Sequence, residues 1–169
     1  MRRLALVLLV AGCASMDREE CATADWYTVG LEDGARGRAV ERLGDHRRAC
    51  AEHGVTPLAE AYMKGRGEGL KSFCTYERGY AEGRAGHGYS GACPEPLARN
   101  FLAGYHRGHD LYELNRRLQS TQQQIQRAKD AIAKGIRDPR DRAREAEKLE
   151  DLSREAERLE QEIARAATR

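Results

Sequence analysis

Four times between residues 27 and 108 the chain carries the pattern aromatic-x-x-Gly-x-x-x-Gly: Tyr27 with Gly30 and Gly34, Tyr62 with Gly65 and Gly69, Tyr76 with Gly79 and Gly83, and Phe101 with Gly104 and Gly108. On a helix, the third and seventh positions after the ring share one face, so each copy presents an aromatic side chain followed by two patches of bare backbone. Glycine inside a helix costs about 1 kcal/mol relative to alanine. Eight of them require compensation, and close helix packing supplies it. The small-xxx-small pattern is familiar from membrane helices, but Arg, Glu and Asp interrupt these copies every few residues. The repeat therefore predicts a compact soluble bundle of helices.

Local signals place those helices. Asp25 caps a first one, which Gly34-Ala35-Arg36-Gly37 ends; a second carries Val40, Leu43 and Cys50 and stops at His53-Gly54. Thr56-Pro57 opens a third that runs to about Cys74, and Thr75 opens a shorter fourth. Beyond Asp110 the composition changes. Leu111, Leu114, Leu118, Thr121, Ile125, Ala128 and Ile132 recur three and four apart, Gly135 to Pro139 break the run, and Leu149, Leu152, Ala156, Leu159, Ile163 and Ala166 resume it. A short connection between two long amphipathic helices predicts an antiparallel hairpin, each arm about 45 Å long for roughly 30 residues. Two helices running end to end and dimerising between chains are the alternative. The expected fold is all-α: a small glycine-rich, disulfide-stapled helical head at residues 25–110, then a coiled-coil-like hairpin arm at 111–169.

The amino end supplies an address. Arg2-Arg3, the apolar run Leu4 to Val10 and Ala11-Gly12-Cys13 read as a secretory signal at residues 1–12. The run is far shorter than the roughly 18 residues of a membrane-spanning helix. Val10-Ala11-Gly12-Cys13 resembles a bacterial lipobox, which makes Cys13 the lipidation site and residues 13–24 a tether, with the membrane as a partner through the acyl chains. Ala14 stands where an inner-membrane retention signal usually places Asp, so the expected location is the outer membrane, facing the periplasm. Cys21, Cys50, Cys74 and Cys93 remain, an even number in an oxidising compartment, which predicts two disulfides with three possible connectivities. The expected pairing joins Cys21 to Cys50 and Cys74 to Cys93. An unbroken helix from 25 to 50 would hold the first two about 40 Å apart, so that bridge requires the chain to fold back around Gly37.

Chemistry is harder to read. The formal charge of +2 vanishes once Arg2 and Arg3 leave with the signal, and no basic block survives to suit a nucleic acid. Asp33, Glu68 and Glu82 precede the second glycine of three copies and are the acid/base candidates; the simpler expectation pairs them with Arg36, Arg66 and Arg84 on a wet face. His106 and His109, one helical turn apart, are the candidate ligand pair, but no third metal ligand stands at a defined place. Gly86-His87-Gly88-Tyr89-Ser90-Gly91 matches GxGxxG without the preceding strand or following helix a dinucleotide site needs. No catalytic residue, metal or cofactor is assigned. A non-enzymatic protein is favoured, with the arm reaching for a protein or the cell wall; a small periplasmic enzyme or ligand-binding protein is the alternative.

The order Trp26, Gly34, Gly37, His46-x-x-x-Cys50, Tyr62-x-x-Gly65, Gly69-Leu70, Cys74, Gly79, Gly83, Tyr89-x-x-x-Cys93-Pro94, Tyr105-x-x-Gly108 and Leu111-Tyr112-x-Leu114 resembles a family of Gram-negative bacterial lipoproteins catalogued as domain of unknown function 2799. The resemblance spans about residues 21–118 and leaves the arm outside. It implies an envelope location and the cysteine and glycine pattern, and it brings no catalytic or binding residue.

Overall fold

A computed structural model describes residues 16–168. The signal at 1–12 and the lipidation site Cys13 lie outside the described residues. Among the described residues seven helices follow in order: α1 Arg18–Thr23, α2 Trp26–Ala35, α3 Arg42–Ala51, α4 Ala59–Phe73, α5 Tyr76–Arg84, α6 Glu95–Ala133 and α7 Pro139–Ala167. They form two compact units, one made of the described residues up to Phe73 together with Ser90–Cys93, the other of Cys74–Tyr89 and the described residues from Pro94 onward.

The four glycine copies pair two by two, and they pair through backbone. In the first unit a Cβ on Gly30 would stand 2.8 Å from the Tyr62 carbonyl carbon, and one on Gly34 would stand 2.9 Å from the Leu70 nitrogen. Reciprocally, a Cβ on Gly65 would stand 2.8 Å from the Tyr27 carbonyl carbon, and one on Gly69 would stand 2.6 Å from the Ala35 nitrogen. Numbers rise together on both helices, so α2 and α4 run parallel. The second unit repeats the arrangement: Gly79 and Gly83 meet the carbonyls of Phe101 and Tyr105, while Gly104 and Gly108 meet those of Tyr76 and Tyr80. In every copy the first glycine lies on the carbonyl of the ring residue that heads its partner copy. No side chain larger than hydrogen fits there.

Parallel neighbours need a return path, and each pair begins one at a left-handed glycine after its first helix. After α2 the chain turns at Gly37, whose φ of +67° is left-handed, and comes back through α3. After α5 it turns at Gly86, with φ of +72°, and α6 opens at Glu95 behind its N-cap Pro94. The two turns are equivalent in detail. Gly37 lies against the Phe73 ring, and Gly86 against the Tyr112 ring. Past each turn the backbone N–H of Arg38 or His87 bonds back to the carbonyl of Asp33 or Glu82. The carbonyl of Arg38 then accepts from Arg66 Nη2 at 2.8 Å, and that of His87 accepts from the Tyr105 hydroxyl at 2.8 Å. Arg66 and Tyr105 each stand four residues after the ring of their copy. The two units are thus an internal duplication, one built on Tyr27 and Tyr62, the other on Tyr76 and Phe101.

Several local expectations shift. Within the stretch read as a tether, Arg18–Thr23 form α1, closed by a capping box in which Asp17 and Glu20 each accept the other's backbone N–H. Helix α3 begins at Arg42, leaving Val40 outside it and 44% exposed. Helix α6 passes Leu111 without interruption, because Gly104 and Gly108 are packed against α5 and do not break it. The bridge between Cys21 and Cys50 forms with a Cα separation of 5.5 Å, fastening α1 to α3. It sits in a core with Trp26, Leu43 and Tyr62. Cys74 and Cys93 are disulfide-bonded as well. The arm folds back on itself through residues 134–138: α7 packs on α6, Arg117 pairs with Glu155 across them at 3.6 Å, and Leu111, Thr121, Ala128, Ala156 and Leu159 are buried along the seam. Among the described residues no helix is long and apolar enough to cross a membrane.

Two alanine substitutions on one helix separate close approach from helix propensity. Gly65→Ala forces α2 and α4 apart and should destabilise by about 1 to 3 kcal/mol. Gly67→Ala meets nothing within 4 Å and should stabilise by up to about 1 kcal/mol. Urea unfolding of the two variants checks both signs.

Candidate functional site

Asp33 stands six residues after Tyr27, one turn past the glycine contact that holds α2 against α4. That position carries it inward. It is 6% exposed, so the wet-face ion pair expected for it does not form, and Arg36 pairs instead with Glu32 at 3.1 Å. Two side chains meet one oxygen of Asp33. The Tyr62 hydroxyl donates to Oδ2 at 2.8 Å, and His46 Nε2 lies 2.9 Å from the same oxygen. A carboxylate only accepts, so Nε2 carries the proton of that bond. His46 is 7% exposed and lies edge-on to both Trp26 and Tyr62, with ring centroids 6.0 and 5.8 Å away.

Each partner is delivered by its own helix. On α3 the spacing Leu43, His46, Cys50 puts the imidazole on the inward face between a leucine and the disulfide. On α4 Tyr62 is fully buried at the head of its copy, and burial followed by the hydrogen bond and negative charge of Asp33 pushes its phenol far above its ordinary value of 10.0. The positive charges of Arg66 and Arg42 pull the other way and do not prevail. Arg66 is buried too, and its Nε has no hydrogen-bond partner among the described residues.

A cleft of about 500 Å³ lies over this group. Asp33 and His46 line it, Met16, Ala24 and Val29 give it an apolar wall, and Glu20, Asp25, Glu32, Arg36 and Arg42 supply its remaining charge. Among the described residues His46 Nδ1 has no hydrogen-bond partner. The arrangement can hold an imidazole in one tautomer and orientation and offer its second nitrogen as an acceptor.

Comparison of the units shows what is particular to this site. Glu82 occupies the position equivalent to Asp33, but its side chain is 20% exposed and pairs with Arg78 at 2.9 Å and with His87 at 2.7 Å. Phe101 stands where Tyr62 would, without the hydroxyl. The glycine contacts and turns recur in both units, while the buried carboxylate with two donors occurs in the first.

The remaining candidates disperse. Glu68 is exposed and pairs with Lys71 at 2.8 Å. His109 lies along the rings of Tyr105 and Tyr112 and 3.9 Å from Glu113, while His106 is exposed and meets the edge of Tyr105. Among the described residues no three His, Cys, Asp or Glu side chains are grouped to hold a metal. Sequence reasoning passed over His46 and Tyr62. The signal for His46 was its place on the Leu43 to Cys50 face, where a polar side chain is buried and needs a partner.

Fold and site together define a disulfide-bonded all-α protein built from two parallel glycine-packed helix pairs, one of which encloses a carboxylate–imidazole–phenol group. The chain belongs to the family described as Protein of unknown function (DUF2799), whose model matches residues 25–110. It is 33% identical over 91 residues to Uncharacterized protein YfiL of Escherichia coli (strain K12), a match covering 52% of this chain and 70% of that one. No solved structure matches the chain.

Tyr62→Phe installs the residue of the second unit and leaves Asp33 one donor short, which should cost about 1 to 3 kcal/mol. The folded state favours the neutral phenol, so this stabilisation is complete below the unfolded value near 10 and fades as pH rises toward the higher folded value. In an alkaline absorbance titration, one of the seven tyrosines should ionise last and together with unfolding. Tyr62→Phe should remove that late phase.

Proposed function

We propose that this chain is a lipid-anchored, non-enzymatic protein of the bacterial envelope: Cys13 carries the acyl chains at the outer membrane on its periplasmic side, and the arm at 111–169 engages a partner protein or the cell wall. The observation that carries the reading is the state of the cysteines. Cys21, Cys50, Cys74 and Cys93 are all disulfide-bonded, a condition that persists in oxidising compartments and is rare in the cytosol. The lipobox resemblance supplies the anchor, and more than one acyl chain is what stable membrane attachment requires. The seam of α6 and α7 leaves Leu114, Leu118, Ile125, Leu149 and Leu152 only partly covered, which supports the arm as the surface for a partner.

Cys13→Ala should abolish acylation and move the protein from the membrane to the soluble or precursor fraction. Fractionation that still finds acylated protein in the variant overturns the anchor. Crosslinking in intact cells, with residues 119–169 present and absent, should recover a partner only in the first case. A partner retained without the arm overturns that half.

A further inference from the structure

We propose that the cleft over Asp33 and His46 is a binding site for a primary ammonium group. The acceptor is His46 Nδ1. Asp33 takes the proton-bearing Nε2 at 2.9 Å, so that in the uncharged form of the ring Nδ1 is a lone pair, in a side chain 8% exposed and without a partner for that nitrogen among the described residues. His46 lines the cleft, and Nδ1 is not among the atoms sealed from solvent without a partner; an acceptor at a cleft wall is complemented by a ligand that brings a donor.

The charges select which donor. Four carboxylates line the cleft, Glu20, Asp25, Glu32 and Asp33, against two guanidinium groups, Arg36 and Arg42. Both arginines are already engaged, Arg36 with Glu32 at 3.1 Å and Arg42 with Asp45 at 3.4 Å. An anion would meet a surplus of its own sign. A neutral hydroxyl would satisfy Nδ1 and leave that surplus unanswered. A primary ammonium answers both, whereas a quaternary ammonium carries the charge without an N–H for Nδ1. About 500 Å³ lies within the range of small-ligand sites and accommodates a short aliphatic body against Met16, Ala24 and Val29.

Two sources offer this chemistry, a free small amine or the aminoethyl headgroup of a membrane lipid. Met16 lies three residues beyond Cys13, a separation that chain length limits to about 10 Å. The lipid source therefore rests on the anchoring reading, and the free amine does not.

The test follows the ring nitrogens of His46 in the purified, ¹⁵N-labelled protein, using ethanolamine and choline as probes. Ethanolamine should shift the Nδ1 resonance of His46 saturably, and choline should bind at least about tenfold more weakly for want of the hydrogen bond. The loss of one signal in His46→Gln assigns the resonance. If that variant does not fold, the dipolar contact of His46 with Trp26 in the unchanged protein assigns it. An unmoved Nδ1, or an equal response to choline, overturns the proposal. Bicelles of phosphatidylethanolamine against phosphatidylcholine separate the sources: a stronger response to the first supports the headgroup, and a response to free ethanolamine alone supports a soluble amine. Cys13→Ala protein should keep its response to free ethanolamine even if the bicelle response disappears. The anchor and the ammonium site therefore fail separately.

Discussion

Everything in this molecule depends on helix backbones touching where side chains would normally hold them apart. At the two contacts of α2 with α4, and again at those of α5 with α6, hydrogen atoms of glycine face carbonyl groups of the opposing helix. Such approach maximises dispersion contact along the two backbones and brings Cα–H groups against carbonyl oxygens. Its penalty is the flexibility of glycine in the unfolded chain. The contact also relieves a shortage. With 6% aromatic residues, the chain has few large side chains to fill a conventional core, and thin interhelix spaces need few. Where the packing is sparse, the Cys21–Cys50 bridge adds the constraint, closing 29 residues of sequence in a way typically worth about 2 to 4 kcal/mol.

Duplication explains why the same contacts appear twice, and it separates scaffold from specialisation. The elements that both units keep are those the parallel crossing demands: the paired glycines, the left-handed turn, and a ring beneath that turn. The elements that differ lie just beside the contact. Asp33, His46 and Tyr62 make a buried polar group in one unit, whereas Glu82, His87 and Phe101 leave the equivalent place wetter and without the phenol. A buried carboxylate is costly unless fully bonded, and Asp33 has two donors on one oxygen. The tolerance of the second unit for Phe101 shows that the glycine crossing itself does not need the group.

The Cys21–Cys50 bridge also has a consequence for that cleft. It holds α1 and the entry to α2 over α3, so Met16, Glu20 and Ala24 stand across from His46. Without the bridge the six-residue α1 would be marginal on its own, since isolated helices of that length do not persist in water. The wall of the site is therefore built by a covalent constraint, and its floor by hydrogen bonds.

Periodicity and punctuation in the sequence carry much of the fold. The helical character, the caps at Asp25 and Thr75, the turn at Gly37 and the hairpin arm all follow from residues within a turn or two of each other, where local stereochemistry decides. The pairing of copies did not follow, because four equivalent glycine faces can combine in several ways and only the lengths and paths of the returns choose among them. The candidate site was legible in part. Asp33 stood out by its place in the repeat, but its burial, and the choice of His46 and Tyr62 as its partners over Arg36, depend on which face of α2 the glycines turn inward and on what α3 and α4 bring beside it. By itself the sequence determined the helices, the close-packing faces and the residues able to be bridged, since these are properties of neighbouring positions. The tertiary structure alone decided which carboxylate lost its water and what met it there, since desolvation is set by atoms from helices 13 and 29 residues away.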